Sequence, residues 1–233
     1  MPRRSDLDAF YALLDDLEAR IGGQRRLGDC HGRVAWPQRG IYFFFESGEH
    51  RDTHSTPQRV VRVGTHALVS RSHTTLWKRL GQHRGTSNPL GGNHRGSIFR
   101  LLVGEAILNS NASLNVESWG RGASATRELR DLEREHEVRV SDYLGDMTLL
   151  FLEVPDEPGP DSARGVIERN SIALLSGYRE PTPDRASISW LGNHSGRERV
   201  RRSGLWNNNH VDEIYDREFL NLFDDLLKRM PAA

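Results

Sequence analysis

Three short β-type runs constrain the fold of this 233-residue chain more than any other feature. Residues 40–46 read GIYFFFE, residues 59–64 read RVVRVG and residues 147–154 read MTLLFLEV. Aromatic and β-branched runs of this length, bounded by glycine, serine or proline, favour strands. The first two runs can form a hairpin across the polar segment 47–58, although most hairpin loops are shorter. The third run completes a small, mostly antiparallel sheet of three strands.

Apolar residues at helical spacing surround these strands. The segments that show this spacing are 5–21, 74–83, 95–108, 161–175 and 211–230. The charged segment 124–140 is also expected to be a helix, with a solvated face as the simplest interpretation of its mixed charges. Residues 114–119 could add a short strand, and residues 179–209 read as a loop. This order predicts an α+β domain whose sheet is flanked by helices, with helical extensions at both ends.

No internal repeat and no long linker divides the chain. We predict an N-terminal helix and connector at 1–35, a core at 36–178 with an insert at about 109–146, and a loop and C-terminal helix at 179–233 that pack on the core. No apolar run approaches the roughly 20 residues that span a bilayer, so no membrane partner is expected. Cys30 is the only cysteine, which excludes intramolecular disulfides and favours a reducing, cytoplasmic setting.

The formal net charge is zero, but the charges are unevenly distributed. No aspartate or glutamate occurs from Thr53 to Gly104, a stretch that holds eight lysines and arginines and five histidines. Residues 185–202 are also mostly basic. A preference for arginine over lysine explains the residue type but not the lack of acids. A positive face of this kind can attract a polyanion despite the neutral total, so a nucleic-acid partner is expected.

The order of motifs resembles that of the GIY-YIG nuclease family. The first signature appears as Gly40-Ile41-Tyr42 at the start of a strand. The second signature, which is Tyr-Ile-Gly or Tyr-Val-Gly in the family, appears as Arg62-Val63-Gly64 at the end of the next strand. The resemblance covers roughly Trp36 to Tyr178. It implies a GIY-YIG-like core in 36–178 and a DNA endonuclease activity.

Four further residues match functional positions of the family. The catalytic arginine corresponds to Arg79, and a histidine that some members carry one turn later corresponds to His83. The metal-binding glutamate corresponds to Glu168, with Glu105 the next candidate carboxylate, and a late asparagine near the active site corresponds to Asn193. Arg79 and His83 are four residues apart, so a helix would project both from one face.

The resemblance implies roles that suit phosphodiester hydrolysis, which needs an activated water and charge neutralisation at phosphorus. Tyr42 takes the role of general base. His66, two residues after the second-signature glycine, could assist as a proton acceptor, and His83 is a further catalytic candidate. Arg79 stabilises the phosphate, since a guanidinium matches phosphate oxygens with two hydrogen bonds. Glu168 is the ligand for a Mg²⁺ (or Mn²⁺) ion, because a carboxylate with waters suits these hard cations.

The second signature departs from the family, because Arg62 stands where the family has tyrosine. A cation beside Tyr42 would favour the phenolate, or His66 could take the proton instead. The departure could also mean an inactive protein, so a nucleic-acid-binding module that uses the same basic face is the alternative function. The residues expected to contact the substrate are Arg62, Lys78, Arg84, Arg95 and Asn193.

Two segments have structural interpretations that compete with functional ones. Glu168 could form an ion pair with Arg164, four residues earlier. The run 207–210 (NNNH) reads most simply as a loop and helix cap, and metal binding is not expected there. No zinc finger or helix-turn-helix motif is evident, so specificity would come from the insert, the C-terminal region or a dimer. Monomer or homodimer, DNA or RNA, and restriction, repair or mobility all stay open.

Overall fold

The structure is a computed structural model that describes residues 2–51, 58–88 and 90–230. The strands are β1 Arg25–Arg26, β2 Gly40–His50, β3 Gln58–Gly64, β4 Thr86–Ser87, β5 Leu90–Gly91 and β6 Thr148–Glu153. The helices are α1 Pro2–Ile21, α2 Leu76–Arg84, α3 Ile98–Ser110, α4 Arg127–Asp146, α5 Ala163–Leu175, α6 Glu198–Ser203 and α7 Glu218–Arg229. Among these described helices, none is both long and apolar enough to cross a membrane.

The main sheet has the strand order β1-β6-β2-β3, with every pair antiparallel. The three predicted strands all form, and β1 adds two residues at one edge. Strands β4 and β5 form a separate small hairpin after α2. The α+β prediction with a small antiparallel sheet is confirmed. Most of the predicted loop between β2 and β3, residues 52–57, lies outside the described residues.

Strand β2 is apolar along its whole first half because both of its faces are buried. Ile41, Phe43 and Phe45 pack into a core with α1, α5 and α7. Tyr42 and Phe44 point the other way, into a second core with α2, α3 and α4. Side chains alternate along a strand, so the register of β2 decides which residues meet which helices. The sheet is therefore a middle layer, and Tyr42 faces α2 and α3.

Local capping explains where four of the helices begin. A side-chain oxygen accepts a hydrogen bond from a backbone N–H in the first turn of each one, which satisfies a donor that has no partner within the helix. The capping residues are Thr75 for α2, Ser97 for α3, Thr126 for α4 and Ser162 for α5. The predicted starts at 74, 95, 124 and 161 were therefore each two or three residues early.

Two local predictions of secondary structure are wrong. Residues 114–119 do not form a strand, since 114–116 are irregular and 117–119 form a turn. Trp119 packs so tightly on α3 that a Cβ at Gly104 would lie 2.1 Å from its ring, which holds this segment against a helix instead of a sheet edge. Residues 179–209 are not one loop, since they contain α6 and a short 3₁₀ turn at Leu191–His194.

Helix α4 has the solvated face that its charges suggested, but its other face carries buried charges. Its Glu137 is buried and binds Arg100 of α3 at 2.5 Å and His94 at 2.9 Å. Glu133, also buried, binds Arg95 at 2.6 Å. Buried charges are stable only when paired and hydrogen-bonded. The acid-free stretch thus draws its counter-charges from α4, and Arg95 and Arg100 are used inside the protein.

We expect Arg100→Ala to lower the free energy of unfolding by about 3–5 kcal/mol, the usual cost of leaving one partner of a buried ion pair alone. Arg100 binds Glu137 and also donates to the carbonyl of His83 at 3.0 Å. The control is Arg127→Ala, since Arg127 is exposed and its pair with Asp131 spans 3.9 Å. Urea denaturation of both variants measures the difference, and equal losses would contradict a stabilising role for this network.

Candidate active site

The first and second signatures meet across the β2–β3 hairpin. Tyr42 pairs with Gly64, and Phe44 pairs with Arg62, so these residues share one face of the sheet. A Cβ at Gly64 would lie 2.4 Å from the Tyr42 hydroxyl oxygen. Only glycine fits there, because the phenol ring lies directly over its backbone. The glycine of the second signature therefore has a steric reason that is independent of catalysis.

A buried hydrogen-bond chain begins at the phenol. The Tyr42 hydroxyl lies 2.8 Å from His83 Nε2, and His83 Nδ1 lies 2.7 Å from the hydroxyl oxygen of Ser97. Burial, with Arg79, Arg62 and Arg100 nearby, lowers the pKa of His83 well below its ordinary value. A neutral imidazole carries one donor and one acceptor. In the tautomer that carries its proton on Nδ1, Nε2 accepts a hydrogen bond from the phenol. Nδ1–H then donates a hydrogen bond to the Ser97 hydroxyl oxygen, which orients the ring.

Arg62 occupies the second-signature position as a buried cation. Its guanidinium lies over the Phe99 ring at 4.6 Å and donates to the Trp206 carbonyl. It also interacts with the Tyr42 hydroxyl, and burial lowers its pKa. A guanidinium nevertheless keeps its charge at neutral pH. The predicted proximity of a cation to Tyr42 is therefore present in the structure.

An open cleft of about 430 Å³ lies at the end of β3, where the two helical layers meet. The polar residues that line it are Arg62, Thr65, Arg79, Glu168, Asn207, Asn208, Asn209 and His210. Within the described part of the chain, neither arginine of this cleft forms an ion pair. Tyr42 is fully buried next to Arg62 and is not among the residues that line the cleft. Three of the predicted residues, Arg62, Arg79 and Glu168, thus share one concave surface.

Glu168 of α5 is the carboxylate of this cleft. Its Oε1 accepts a hydrogen bond from the Thr65 backbone N–H at 3.1 Å. Burial raises the pKa of Glu168, and the nearby Arg62 and His210 oppose that shift. The ion pair with Arg164 does not form, since Arg164 binds Asp156 instead. Glu168 therefore keeps lone pairs for a ligand in the cleft.

The cleft suits an ion that retains much of its water. Among the described residues there is no group of three or more histidine, cysteine, aspartate or glutamate side chains that could enclose a metal. Mg²⁺ is often held by one or two carboxylates together with waters and substrate phosphates. Glu168, facing a cleft with room for water, fits that mode of binding.

Several predicted substrate contacts lie elsewhere. Lys78 is exposed on α2, and Arg84 donates to the Gly28 carbonyl at 3.3 Å. Arg95 is held by Glu133 at 2.6 Å. Asn193 donates to two backbone carbonyls at 3.0 Å and lines a separate cavity beside α6. These four residues do not join the cleft of Glu168, and an internal partner accounts for Arg95.

Two other candidates are also outside the cleft. His66 is buried, its Nε2 lies 3.3 Å from the Gln38 carbonyl, and burial together with Arg164 lowers its pKa to about 4. Glu105 borders a different cavity next to Trp119 and Arg197. Neither residue is among those that line the surface around Glu168.

The structure brings to the site Ser97 and residues of the run 207–210, for which the sequence predicted only a loop and helix cap without metal binding. Asn207 accepts a hydrogen bond from Val63 N–H at 3.1 Å and donates to the Val63 carbonyl at 2.8 Å, so it completes the open edge of β3. His210 lines the cleft opposite α5. Ser97 ends the hydrogen-bond chain from Tyr42. The only sequence signal was the polar run 207–210, and nothing in it indicates proximity to α5.

A family model described as the GIY-YIG domain matches residues 1–233. The chain belongs to the GIY-YIG domain family. The resemblance first seen in residues 36–178 is confirmed, and the match includes the N-terminal helix and the C-terminal region as well. The family is one of nucleases, which act on nucleic acids. Neither a comparison with curated proteins nor one with solved structures returned a match.

The raised pKa of Glu168 predicts that the metal-free GIY-YIG domain is destabilised by this carboxylate. A pKa that is higher in the folded state means that stability is fully present below the unfolded value, about 4.3, and is lost as pH rises through the folded value. Glu168→Gln should therefore raise the Tm at neutral pH in EDTA. Each kcal/mol gained in the free energy of unfolding corresponds to about 2–4 °C.

Thermal unfolding at several pH values checks this expectation. The difference between Glu168→Gln and the natural chain should shrink as pH falls towards 4. Glu117→Gln serves as the matched control, because Glu117 is exposed. A Tm difference that is the same at every pH would show that Glu168 is not held in an unfavourable charged state.

Proposed function

We propose that this GIY-YIG domain is a divalent-metal-dependent endonuclease that hydrolyses phosphodiester bonds in DNA. The proposal is supported by the convergence of Arg62, Arg79 and Glu168 on one cleft, with the Tyr42–His83 chain next to Arg62. An anionic substrate would find there two guanidinium groups that form no ion pair with the described residues, and a carboxylate able to hold a cation. The family assignment makes nucleic acid the substrate class.

Arg79 is the phosphate-binding residue of the proposal. One of its guanidinium nitrogens donates to Gln82 at 2.9 Å and to the Gly96 carbonyl at 3.4 Å, which holds the side chain along α2. The remaining N–H groups can bind phosphate oxygens. Glu168 would hold Mg²⁺ or Mn²⁺, and the ion supplies charge neutralisation at the phosphate when bound.

Tyr42 is the proposed general base, and His83 orients its hydroxyl. The neutral imidazole accepts a hydrogen bond from the phenol across the 2.8 Å contact, and the Arg62 guanidinium favours the phenolate. Because Tyr42 is fully buried, neighbouring side chains have to shift before a water can reach the phenol. Arg62 lies beside the phenol and lines the cleft, so binding of a substrate phosphate could draw it away.

His66 is the weaker candidate for the base. Its hydrogen bond to the Gln38 carbonyl requires a proton on Nε2, and its pKa of about 4 makes Nδ1 a poor acceptor at neutral pH. It also lies outside the residues that line the cleft. Geometry and acidity thus both favour Tyr42 over His66 as the group that activates water.

A nucleic-acid-binding module without catalysis is the second candidate function. It is favoured by the burial of Tyr42 and by Arg62 in place of the tyrosine of the second signature. In that case Arg62 would remain in place as a phosphate-binding cation. Either function uses a smaller positive surface than the acid-free stretch suggested, because Arg59, Arg95 and Arg100 are paired with glutamates inside the protein.

Incubation with supercoiled plasmid separates the two functions. The natural chain should produce nicked or linear DNA in Mg²⁺ or Mn²⁺ and none in EDTA. Glu168→Gln should lose cleavage but retain DNA binding that weakens steeply with salt, whereas the control Glu117→Gln should cleave normally. Salt-sensitive DNA binding without cleavage in either metal would establish the binding module instead. Cleavage by Glu168→Gln would show that Glu168 is not the essential metal ligand.

Tyr42→Phe removes only the hydroxyl, so the fold should survive while the cleavage rate falls by about a hundredfold or more, as for loss of a general base. Tyr178→Phe, a half-buried tyrosine outside the cleft, is the control. Arg62→Gln should move the basic optimum of the pH–rate profile upward, because the phenolate loses a stabilising cation. Normal cleavage by Tyr42→Phe, with an inactive His66→Ala protein, would assign the base to His66.

A further inference from the structure

Residues 207–210 form the loop that carries His210, and hydrogen bonds hold this loop to the core on both sides. Before it, Trp206 N–H donates to the Val61 carbonyl at 2.7 Å. Within it, Arg199 donates to the Asn208 carbonyl at 2.6 Å. After it, the Ser176 hydroxyl donates to the Val211 carbonyl at 2.6 Å. The position of this loop at the cleft is therefore set by the core and not by the loop alone.

His210 has a left-handed backbone conformation, which is uncommon for residues other than glycine. Its φ is +63°, in a region where asparagine, aspartate and histidine are the most frequent non-glycine residues. Three asparagines precede it directly. Non-glycine residues held in this region cluster at functional sites.

The two nitrogens of this imidazole face different surroundings. Nδ1 lies 2.6 Å from Glu213 Oε1, which fixes the ring from outside the cleft. In the part of the chain that the structure describes, the hydrogen bonds of this ring involve Nδ1 alone. The ring borders the same cleft as Glu168 and is close enough to oppose the rise in the pKa of that carboxylate. Nε2 is thus the nitrogen left for a ligand.

We propose that His210 is a second protein ligand for the divalent ion at Glu168, which binds through Nε2 while Glu213 orients the ring. The inference rests on the metal requirement of the proposed function. Histidines that bind metals usually donate their other ring N–H to a carboxylate, which fixes the tautomer and the ring orientation. A nitrogen donor shifts the preference of the site from Mg²⁺ towards Mn²⁺ and the later transition ions.

The alternative role of His210 is that of a positive charge that offsets Glu168. The two roles predict opposite effects on metal affinity. Removal of a ligand weakens metal binding, whereas removal of an imidazolium next to the site strengthens it, because like charges repel. The sign of the change therefore decides between them without any measurement of catalysis.

Mn²⁺ binding to the whole chain, without nucleic acid, tests the proposal by calorimetry and electron paramagnetic resonance. His210→Gly removes the imidazole and suits the left-handed backbone, so folding is kept. It should weaken Mn²⁺ binding by about tenfold or more, with a smaller effect on Mg²⁺, and remove nitrogen hyperfine coupling to bound Mn²⁺. Glu213→Gln should weaken binding by about tenfold, and His194→Ala, which changes an exposed histidine, should have no effect.

Three outcomes would overturn the proposal. They are unchanged or tighter Mn²⁺ binding by His210→Gly, an absence of nitrogen coupling in the natural chain, and no Mn²⁺ binding by a free chain that nevertheless cleaves DNA. In each case, Glu168-dependent cleavage of plasmid by the natural chain would still support the nuclease proposal. If the chain neither binds Mn²⁺ nor cleaves DNA, both the nuclease proposal and the His210 proposal are wrong.

Discussion

The burial of β2 on both faces is the constraint on which the rest of the structure depends. Because its side chains alternate between two cores, Phe43 packs under α1 and α7 while Tyr42 faces α2 and α3. A slip of one residue would exchange the two faces and move the phenol away from His83. Pairing with β3 on one side and β6 on the other prevents that slip. The position of Tyr42 is thus a consequence of sheet register.

The same packing also determines which arginines have a carboxylate partner inside the protein. The interior stabilises an arginine only where a carboxylate or carbonyl meets it, and Arg59, Arg95 and Arg100 each have a glutamate partner. Arg62 and Arg79 instead border the cleft with Glu168. Arg62 and Arg79 therefore remain available to a ligand at the cleft. This arrangement is suited to a ligand that brings negative charge and a cation together, as a phosphate with a divalent ion does.

Some candidate site residues could be named from the sequence because they lie in local motifs. Tyr42, Arg79, His83 and Glu168 were matched to the family by the order of these motifs, and the structure brings Tyr42 to His83 and Arg79 to the cleft of Glu168. Asn193 was assigned by a loose match, and it lies beside α6. Asn207, which completes the edge of β3, had no local signal because its partner Val63 is remote in the chain.

The three main strands, most of the helices and the GIY-YIG signatures could be read from the sequence, because alternation, helical spacing and short motifs are local properties. Only the folded chain shows that α4 supplies counter-charges to α3, that Arg62 lies beside Tyr42, and that His210 and Glu168 line one cleft. These are contacts between residues far apart in the chain. Their energies depend on burial and distance, and neither quantity exists before the chain has folded.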